Sequence, residues 1–203
     1  MAVKLTDSII GESRGSVDAA MDYARRVGAY DLPFLQEYFD ELWRLCQKYG
    51  FAFEYLVGQG KNETGAWSKN NTNWTRLHNP AGLAITNSQN LSLNYKTGND
   101  AARAHVVHHY VYRYGAVPDN TELIADIDLD GHYWEAVNGS NSVSGKPFAG
   151  SVRTIDDFNK NGTWALMDRQ NTPTGSLNVY GTRILNDTRA VFGELPDQRP
   201  FDP

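Results

Sequence analysis

The chain has 203 residues, of which 40% are apolar and 21% charged, and this balance excludes an intrinsically disordered protein. A net charge of −5 at pH 7 excludes an overall basic footprint for nucleic acid. There is no run of about 18 apolar residues, so no membrane insertion is expected. The single cysteine, Cys46, excludes an intrachain disulfide and a cysteine-type metal site, and we interpret it as a small core residue.

Helical periodicity dominates the first sixty residues. A first helix is predicted over residues 16–28, between an N-capping serine and a terminating glycine. A second is predicted over 31–50, with an aspartate followed by a proline in its first turn and a glycine at its end. The apolar stretch that begins at Phe51 is interpreted as a third, buried helix whose end carries Glu63.

The composition changes between residues 66 and 99, where Asn, Ser, Thr and Gly are frequent. This composition predicts an irregular lobe, with a short β-hairpin around 82–93. Asn99 is then predicted to cap a strong helix over residues 100–114, which Gly115 closes.

The remaining chain is less regular. Residues 119–150 are predicted to be mostly loop, and residues 178–192 again show helical spacing. The simplest organisation is a single, mainly α domain over residues 1–193 that carries a small irregular or hairpin lobe. Three prolines in the last eight residues predict an unstructured tail, residues 194–203.

Glu63 is the strongest candidate for chemistry. It lies at the predicted end of an apolar helix, and apolar walls raise the pKa of a carboxyl group. A carboxyl that stays protonated near neutral pH can deliver a proton to a glycosidic oxygen. The alternative is a solvated glutamate at the end of a helix.

Several short elements around Glu63 resemble, in order, the glucosaminidase family of bacterial and phage wall-degrading enzymes. They are ETGAWS (63–68), HNPAGL (78–83), NYK (94–96) before a helix that ends in Tyr, GTWA (162–165) and YGTRI (180–184). The resemblance covers roughly residues 50–192. It departs from the family pattern in the stretch 166–179, which is longer here and leaves the alignment of Asp168 open.

The resemblance implies a lysozyme-like fold in which Glu63 is the catalytic acid and Tyr180 lies beside it as a second candidate catalytic residue. Asn79 and Gly82 are then expected to shape the cleft. Aromatic rings with polar edges can stack on sugars, so tryptophans of the lobe and the later motif are further candidates. The candidate substrate-binding residues are Trp67, His78, Asn79, Gly82, Tyr95 and Trp164, and Trp74 shares the stacking argument with them.

A second carboxylate is missing from the lobe, because no Asp or Glu occurs between Glu63 and Asp100. Two mechanisms need only one acid: attack by the substrate's own 2-acetamido oxygen, or transglycosylation in which Glu63 acts first as acid and then as base. Tyr180, Tyr95 or Asn79 can stabilise the transition state in either mechanism. A second acid from elsewhere remains open, and its candidates are Asp126, Asp128, Asp130 and Asp168.

Two metal patterns accompany these motifs. His105 and His109 share a helix face as zinc ligands do, but they lack the glutamate of zinc proteases, and we interpret them as packing residues. Asp126, Asp128 and Asp130 copy the first half of a calcium loop, but Val137 occupies the position that needs a bidentate Glu. We therefore expect no metal and no cofactor, with a structural calcium at the acidic turn left as an alternative.

These observations predict an endo-β-N-acetylglucosaminidase-like hydrolase of peptidoglycan. The alternatives are a lytic transglycosylase or muramidase on the same fold, or a non-catalytic glycan-binding or virion module. Four basic residues between positions 61 and 96 would favour the carboxylates of peptidoglycan. No secretory signal is recognised, so we expect a phage endolysin released from the host cytoplasm by a holin-type partner, or a lysin carried on the virion.

Overall fold

The described part of the chain is mainly α-helical, as the sequence predicts. The computed structural model describes residues 3–82, 94–115, 121–124, 150–160 and 179–201. Its helices are α1 (Val17–Val27), α2 (Leu32–Tyr49), α3 (Phe53–Thr64), α4 (Thr72–Leu77), α5 (Gly98–Tyr114), α6 (Thr121–Ile124), α7 (Asp157–Lys160) and α8 (Tyr180–Phe192). β-pairing in these ranges is limited to two isolated antiparallel bridges, Ser8 with Thr154 and Ile10 with Phe51. None of these helices combines the length and the apolar character that crossing a bilayer requires.

The ends of α1 and α2 follow from their capping residues. The Ser16 hydroxyl accepts a backbone hydrogen bond from the first turn of α1, and Gly28 closes the helix with a φ of 69°. Asp31 accepts from the first turn of α2 at 3.2 Å, and Gly50 closes that helix with a φ of 75°. Both predicted helices are confirmed, because their start and stop signals are local.

The start of α5 differs from the prediction. The N-cap is Thr97, not Asn99, and the helix begins at Gly98. The Thr97 hydroxyl accepts from the Asp100 backbone N–H at 3.2 Å and donates to the Asp100 carboxylate at 2.7 Å. This reciprocal pair satisfies the first turn better than an asparagine two residues later can. Gly115 closes the helix as predicted.

A short helix, α4, lies within the stretch that is predicted to be irregular. Asn71 supplies its N-cap, since its Oδ1 accepts from the Trp74 backbone N–H at 3.0 Å. His78 ends it in the left-handed region with a φ of 47°. The polar composition that indicated a loop therefore supplies the caps of a helix in this segment.

Helix α3 is buried over most of its length and packs against α2, α5 and α8. It meets α8 closely at Gly58, where an added Cβ would lie 2.9 Å from the Ile184 carbonyl oxygen. The Thr188 hydroxyl donates to Ile184 at 2.8 Å and also lies 3.3 Å from the Glu54 carbonyl. This close crossing places the end of α3 beside the start of α8.

Helix α2 covers the other side of the core and carries Cys46. The thiol is 1% exposed, and burial raises its pKa well above the ordinary value. Cys46 is therefore the small core residue that the sequence predicts.

The N-terminal segment and the tail pack on the same helices. Arg14 lies beside the fully buried carboxylate of Glu54, to which its Nε donates at 2.7 Å, and it also donates to the Pro196 carbonyl at 3.0 Å. The Gln198 amide exchanges two hydrogen bonds of 2.8 Å with the backbone of Ser8. Residues 194–201 thus form no regular secondary structure, as predicted, but they are held against the helical core instead of extending freely.

Candidate active site around Glu63

Glu63 and Tyr180 are in direct contact although they lie 117 positions apart in the chain. Glu63 is half-buried in the last turn of α3, and Tyr180 is the first residue of α8. The Tyr180 hydroxyl donates to Oε1 of Glu63, and the Asn62 side-chain amide donates to the same oxygen at 3.3 Å. The structure therefore brings together the two candidate catalytic residues that the resemblance implies.

The other carboxylate oxygen of Glu63 faces Gly82. An added Cβ at Gly82 would lie 3.2 Å from Oε2, and the backbone φ of +64° also favours glycine. Asn79, which is buried, stabilises the approach to this position, because its Oδ1 accepts from the Ala81 backbone N–H at 3.4 Å. Asn79 and Gly82 thus belong to one turn beside the Glu63 carboxyl group, and their role in shaping a cleft stays a prediction.

Burial and the charge of Glu63 both keep the Tyr180 phenol protonated. They raise the pKa of Tyr180 well above its ordinary value, burial being the larger cause. The pKa of Tyr112 on α5 is raised for the same two reasons. Two neutral phenols therefore lie within the electrostatic reach of the Glu63 carboxylate, and the sequence had indicated only one of them.

Gln59 connects this pair to a buried polar cluster. It lies one helical turn before Glu63 on α3, is fully buried, and its Nε2 donates to the Tyr180 hydroxyl at 3.1 Å. Its Oε1 lies 2.7 Å from Nε2 of His105 and 2.6 Å from Nε2 of His109. The Tyr38 hydroxyl completes the cluster at 2.7 Å from Nδ1 of His105.

The two histidine rings are neutral and form hydrogen bonds with the Gln59 side-chain amide, which agrees with their interpretation as packing residues. Burial lowers the pKa of His105 well below 6.5 and that of His109 to about 3. The described ranges hold no group of three or more His, Cys, Asp or Glu side chains placed to bind a metal ion. Sequence reasoning missed Gln59; the available signal was its spacing of one turn from Glu63 on an apolar helix.

The predicted stacking role of Trp67 and Trp74 is wrong. Both indoles are 0% exposed and therefore cannot present a face to a sugar. Trp67 packs edge-on against Phe39 with ring centroids 5.3 Å apart, and Trp74 donates from Nε1 to the Tyr30 carbonyl at 3.0 Å. They are core residues, since both belong to the same buried cluster as the apolar side chains of α2.

His78 and Tyr95 make structural contacts within the protein. The His78 ring stacks on Phe34 at 4.2 Å between centroids, and its Nε2 lies 3.1 Å from the Asp31 carboxylate. The Tyr95 side chain is 5% exposed, and its backbone N–H donates to the Leu77 carbonyl at 3.0 Å. His78 thus anchors the end of α4 to the start of α2, a structural role that the substrate-binding prediction did not include.

The basic residues of the lobe are not equivalent. Lys61 forms an ion pair with Asp187 on α8, so its charge is compensated within the protein. Lys69, Arg76 and Lys96 are exposed. The local positive field predicted from the sequence therefore depends on these three side chains.

Several predictions fall outside the described residues. These are the hairpin from residue 83 onward, the stacking residue Trp164, and the acidic candidates Asp126, Asp128, Asp130 and Asp168. Comparisons with protein-family models, curated proteins and solved structures found no match to this chain.

Proposed function

We propose that the protein is a glycoside hydrolase that cuts the glycan strands of peptidoglycan, with Glu63 as the general acid. The observation that carries this proposal is the contact between Glu63 and Tyr180, which belong to the first and last elements of the glucosaminidase resemblance. The turn that ends at Gly82 meets the same carboxylate. Three separate motifs of the resemblance thus converge on one acid.

The geometry supplies what a single acid needs. When a glycosidic bond breaks, the leaving oxygen takes a proton, and the acid that gave it becomes a carboxylate. The Tyr180 hydroxyl already donates to Oε1 of Glu63 and can stabilise that new charge. Because the pKa of Tyr180 is raised, the phenol keeps its hydrogen for this purpose and does not act as a nucleophile.

The absence of Asp and Glu between residues 63 and 100 favours a one-carboxylate mechanism. In hydrolysis, the substrate's 2-acetamido oxygen attacks the anomeric carbon while Glu63 protonates the leaving oxygen. Water then attacks the same carbon and opens the oxazolinium ring, and the Glu63 carboxylate takes up the proton that this water loses. In transglycosylation, the oxygen of the sugar's 6-hydroxyl attacks the anomeric carbon, and the Glu63 carboxylate removes the proton of that hydroxyl. We favour hydrolysis after N-acetylglucosamine, and the two routes leave different chain ends.

The decisive experiment measures the release of sugar fragments from purified sacculi by the wild-type protein and by Glu63→Gln. This variant keeps the shape of the side chain and removes the acid, so turnover is expected to fall by roughly 10²- to 10⁴-fold. Glu12→Gln is the matched control, because Glu12 is exposed and this substitution makes the same chemical change away from the site. Wild-type turnover by Glu63→Gln would refute the assignment of Glu63.

Mass spectrometry of the fragments separates the alternatives. Reducing N-acetylglucosamine ends identify the proposed glucosaminidase, reducing N-acetylmuramic acid ends a muramidase, and 1,6-anhydro ends a lytic transglycosylase. If the wild-type protein binds sacculi and releases no fragments, the chain is a glycan-binding module and the enzymatic proposal is wrong.

A further inference from the structure

We infer that Gln59 is a positioning residue that directs the Tyr180 hydroxyl to Oε1 of Glu63. This inference rests on the proposed function. It begins from the chemistry of the amide, whose two ends have fixed roles: the oxygen only accepts and the nitrogen only donates. Gln59 presents its oxygen to two imidazoles and its nitrogen to the Tyr180 hydroxyl.

The oxygen end fixes the tautomers of the two histidines. Because Oε1 of Gln59 only accepts, His105 and His109 each donate from Nε2–H. Burial keeps both rings neutral, so Nδ1 of His105 carries no hydrogen and accepts from the Tyr38 hydroxyl at 2.7 Å. The spacing of one turn on α5 lets both rings reach the same oxygen.

The nitrogen end fixes the direction of the Tyr180 hydroxyl. The phenol oxygen accepts from Gln59, and its single hydrogen is therefore directed to Oε1 of Glu63. In this series of hydrogen bonds, from Tyr38 through His105 and Gln59 to Tyr180, every donated hydrogen points toward the carboxyl group of Glu63. Hydrogen bonds aligned in this way polarise one another.

The consequence for Glu63 concerns Oε1. This oxygen accepts from Tyr180 and from the Asn62 amide at 3.3 Å. When Glu63 gives up its proton, these two donors stabilise the charge that appears on Oε1. The buried cluster thus keeps the Tyr180 donor aimed at the carboxyl group while the leaving oxygen is protonated.

Gln59→Met tests this inference, because the new side chain keeps the length of Gln59 but cannot donate to Tyr180. Without this donor, the Tyr180 hydroxyl is no longer held toward Oε1 of Glu63. We expect kcat on soluble glycan fragments to fall roughly 10- to 100-fold with KM nearly unchanged. Gln47→Met is the matched control, since Gln47 lies exposed on α2 and undergoes the same chemical change.

A double-mutant cycle with Tyr180→Phe distinguishes positioning from general damage. If Gln59 acts through the Tyr180 hydroxyl, adding Gln59→Met to Tyr180→Phe lowers kcat by less than about threefold more. Independent multiplication of the two losses, or wild-type kcat in a folded Gln59→Met protein, would overturn the inference while leaving Glu63 as the acid.

The tautomers can be measured in the wild-type protein without any variant or activity. Long-range ¹H–¹⁵N NMR spectra are expected to show His105 and His109 neutral and protonated at Nε2, with Nδ1 of His105 accepting a hydrogen bond. A hydrogen on Nδ1 of His105 would mean that the hydrogen bonds are donated in the opposite direction, and it would overturn the inference. This readout stays valid if sacculi are not cut, so the failure of the proposed function and the failure of the inference remain distinguishable.

Discussion

Glu63 and Gly82 lie so close that a methyl group on Gly82 would sit 3.2 Å from Oε2 of the carboxylate. Replacing Gly82 by alanine is therefore expected to lower kcat by roughly tenfold or more, because the methyl group crowds Oε2 of the proposed acid. The positive φ adds a backbone cost of about 1–2 kcal/mol. Turnover of glycan fragments and the free energy of unfolding measure the two effects.

Gly28→Ala is the matched control for this prediction. Gly28 has a similar φ of +69°, and an added Cβ there meets no atom within 4 Å. The two variants are expected to lose similar stability, with only Gly82→Ala losing turnover. Equal turnover in both would show that the space next to Oε2 is not used in the reaction.

The parts of the fold that the sequence predicts are those with local signals. Ser16, Gly28 and Gly50 mark helix ends through hydrogen bonds within one turn, and these ends are confirmed. The start of α5 was misplaced at Asn99 because neighbouring residues offer competing caps, and the reciprocal bond of Thr97 with Asp100 prevails.

The buried cluster has no comparable local signal. His105 and Gln59 lie 46 positions apart, and Gln59 and Tyr180 lie 121 apart, so their pairing depends on how α3, α5 and α8 pack. The sequence showed two histidines one turn apart but not the amide between them. The stacking role predicted for Trp67 was wrong for a related reason, since a tryptophan that stacks on a sugar and one that fills a core have the same local sequence pattern.

The burial of Trp67 predicts a loss of stability and not of substrate binding. Trp67→Phe leaves a smaller ring in a fully buried site and is expected to cost about 1–3 kcal/mol of unfolding free energy, measured by urea titration. KM for glycan fragments is expected to remain within twofold or so of the wild-type value, since a buried indole does not touch substrate. A large rise in KM at unchanged stability would restore the stacking role.

Arg14 compensates a buried charge and is predicted to matter for stability alone. Its Nε donates at 2.7 Å to Glu54, which is fully buried, so Arg14→Met leaves that carboxylate without its charged partner. The expected cost is about 3–5 kcal/mol of unfolding free energy. Arg25→Met is the control, because the Arg25–Asp22 pair is exposed and is worth at most about 1 kcal/mol. Similar losses in the two variants would contradict the role given to the Arg14–Glu54 pair.

The neutral histidines of the cluster make the fold sensitive to acid. Burial lowers the pKa of His109 to about 3, whereas the ordinary value of 6.5 applies once the chain unfolds. Between these values the unfolded state binds a proton that the folded state does not, so stability falls as the pH falls from 6.5 toward 3. His105 acts in the same direction.

Each such histidine is expected to contribute a slope of about 1.4 kcal/mol per pH unit, so His105 and His109 together contribute about 2.8 kcal/mol per pH unit. Urea titrations at several pH values from 7.5 to 4.5 measure the slope. His109→Phe cannot take up a proton, so its slope is expected to be smaller by about 1.4 kcal/mol per pH unit, even though the loss of a hydrogen bond lowers its stability at every pH. An unchanged slope in this variant would mean that His109 can bind a proton in the folded protein, and that its hydrogen bond to Gln59 is not the fixed donor on which the direction of the cluster depends.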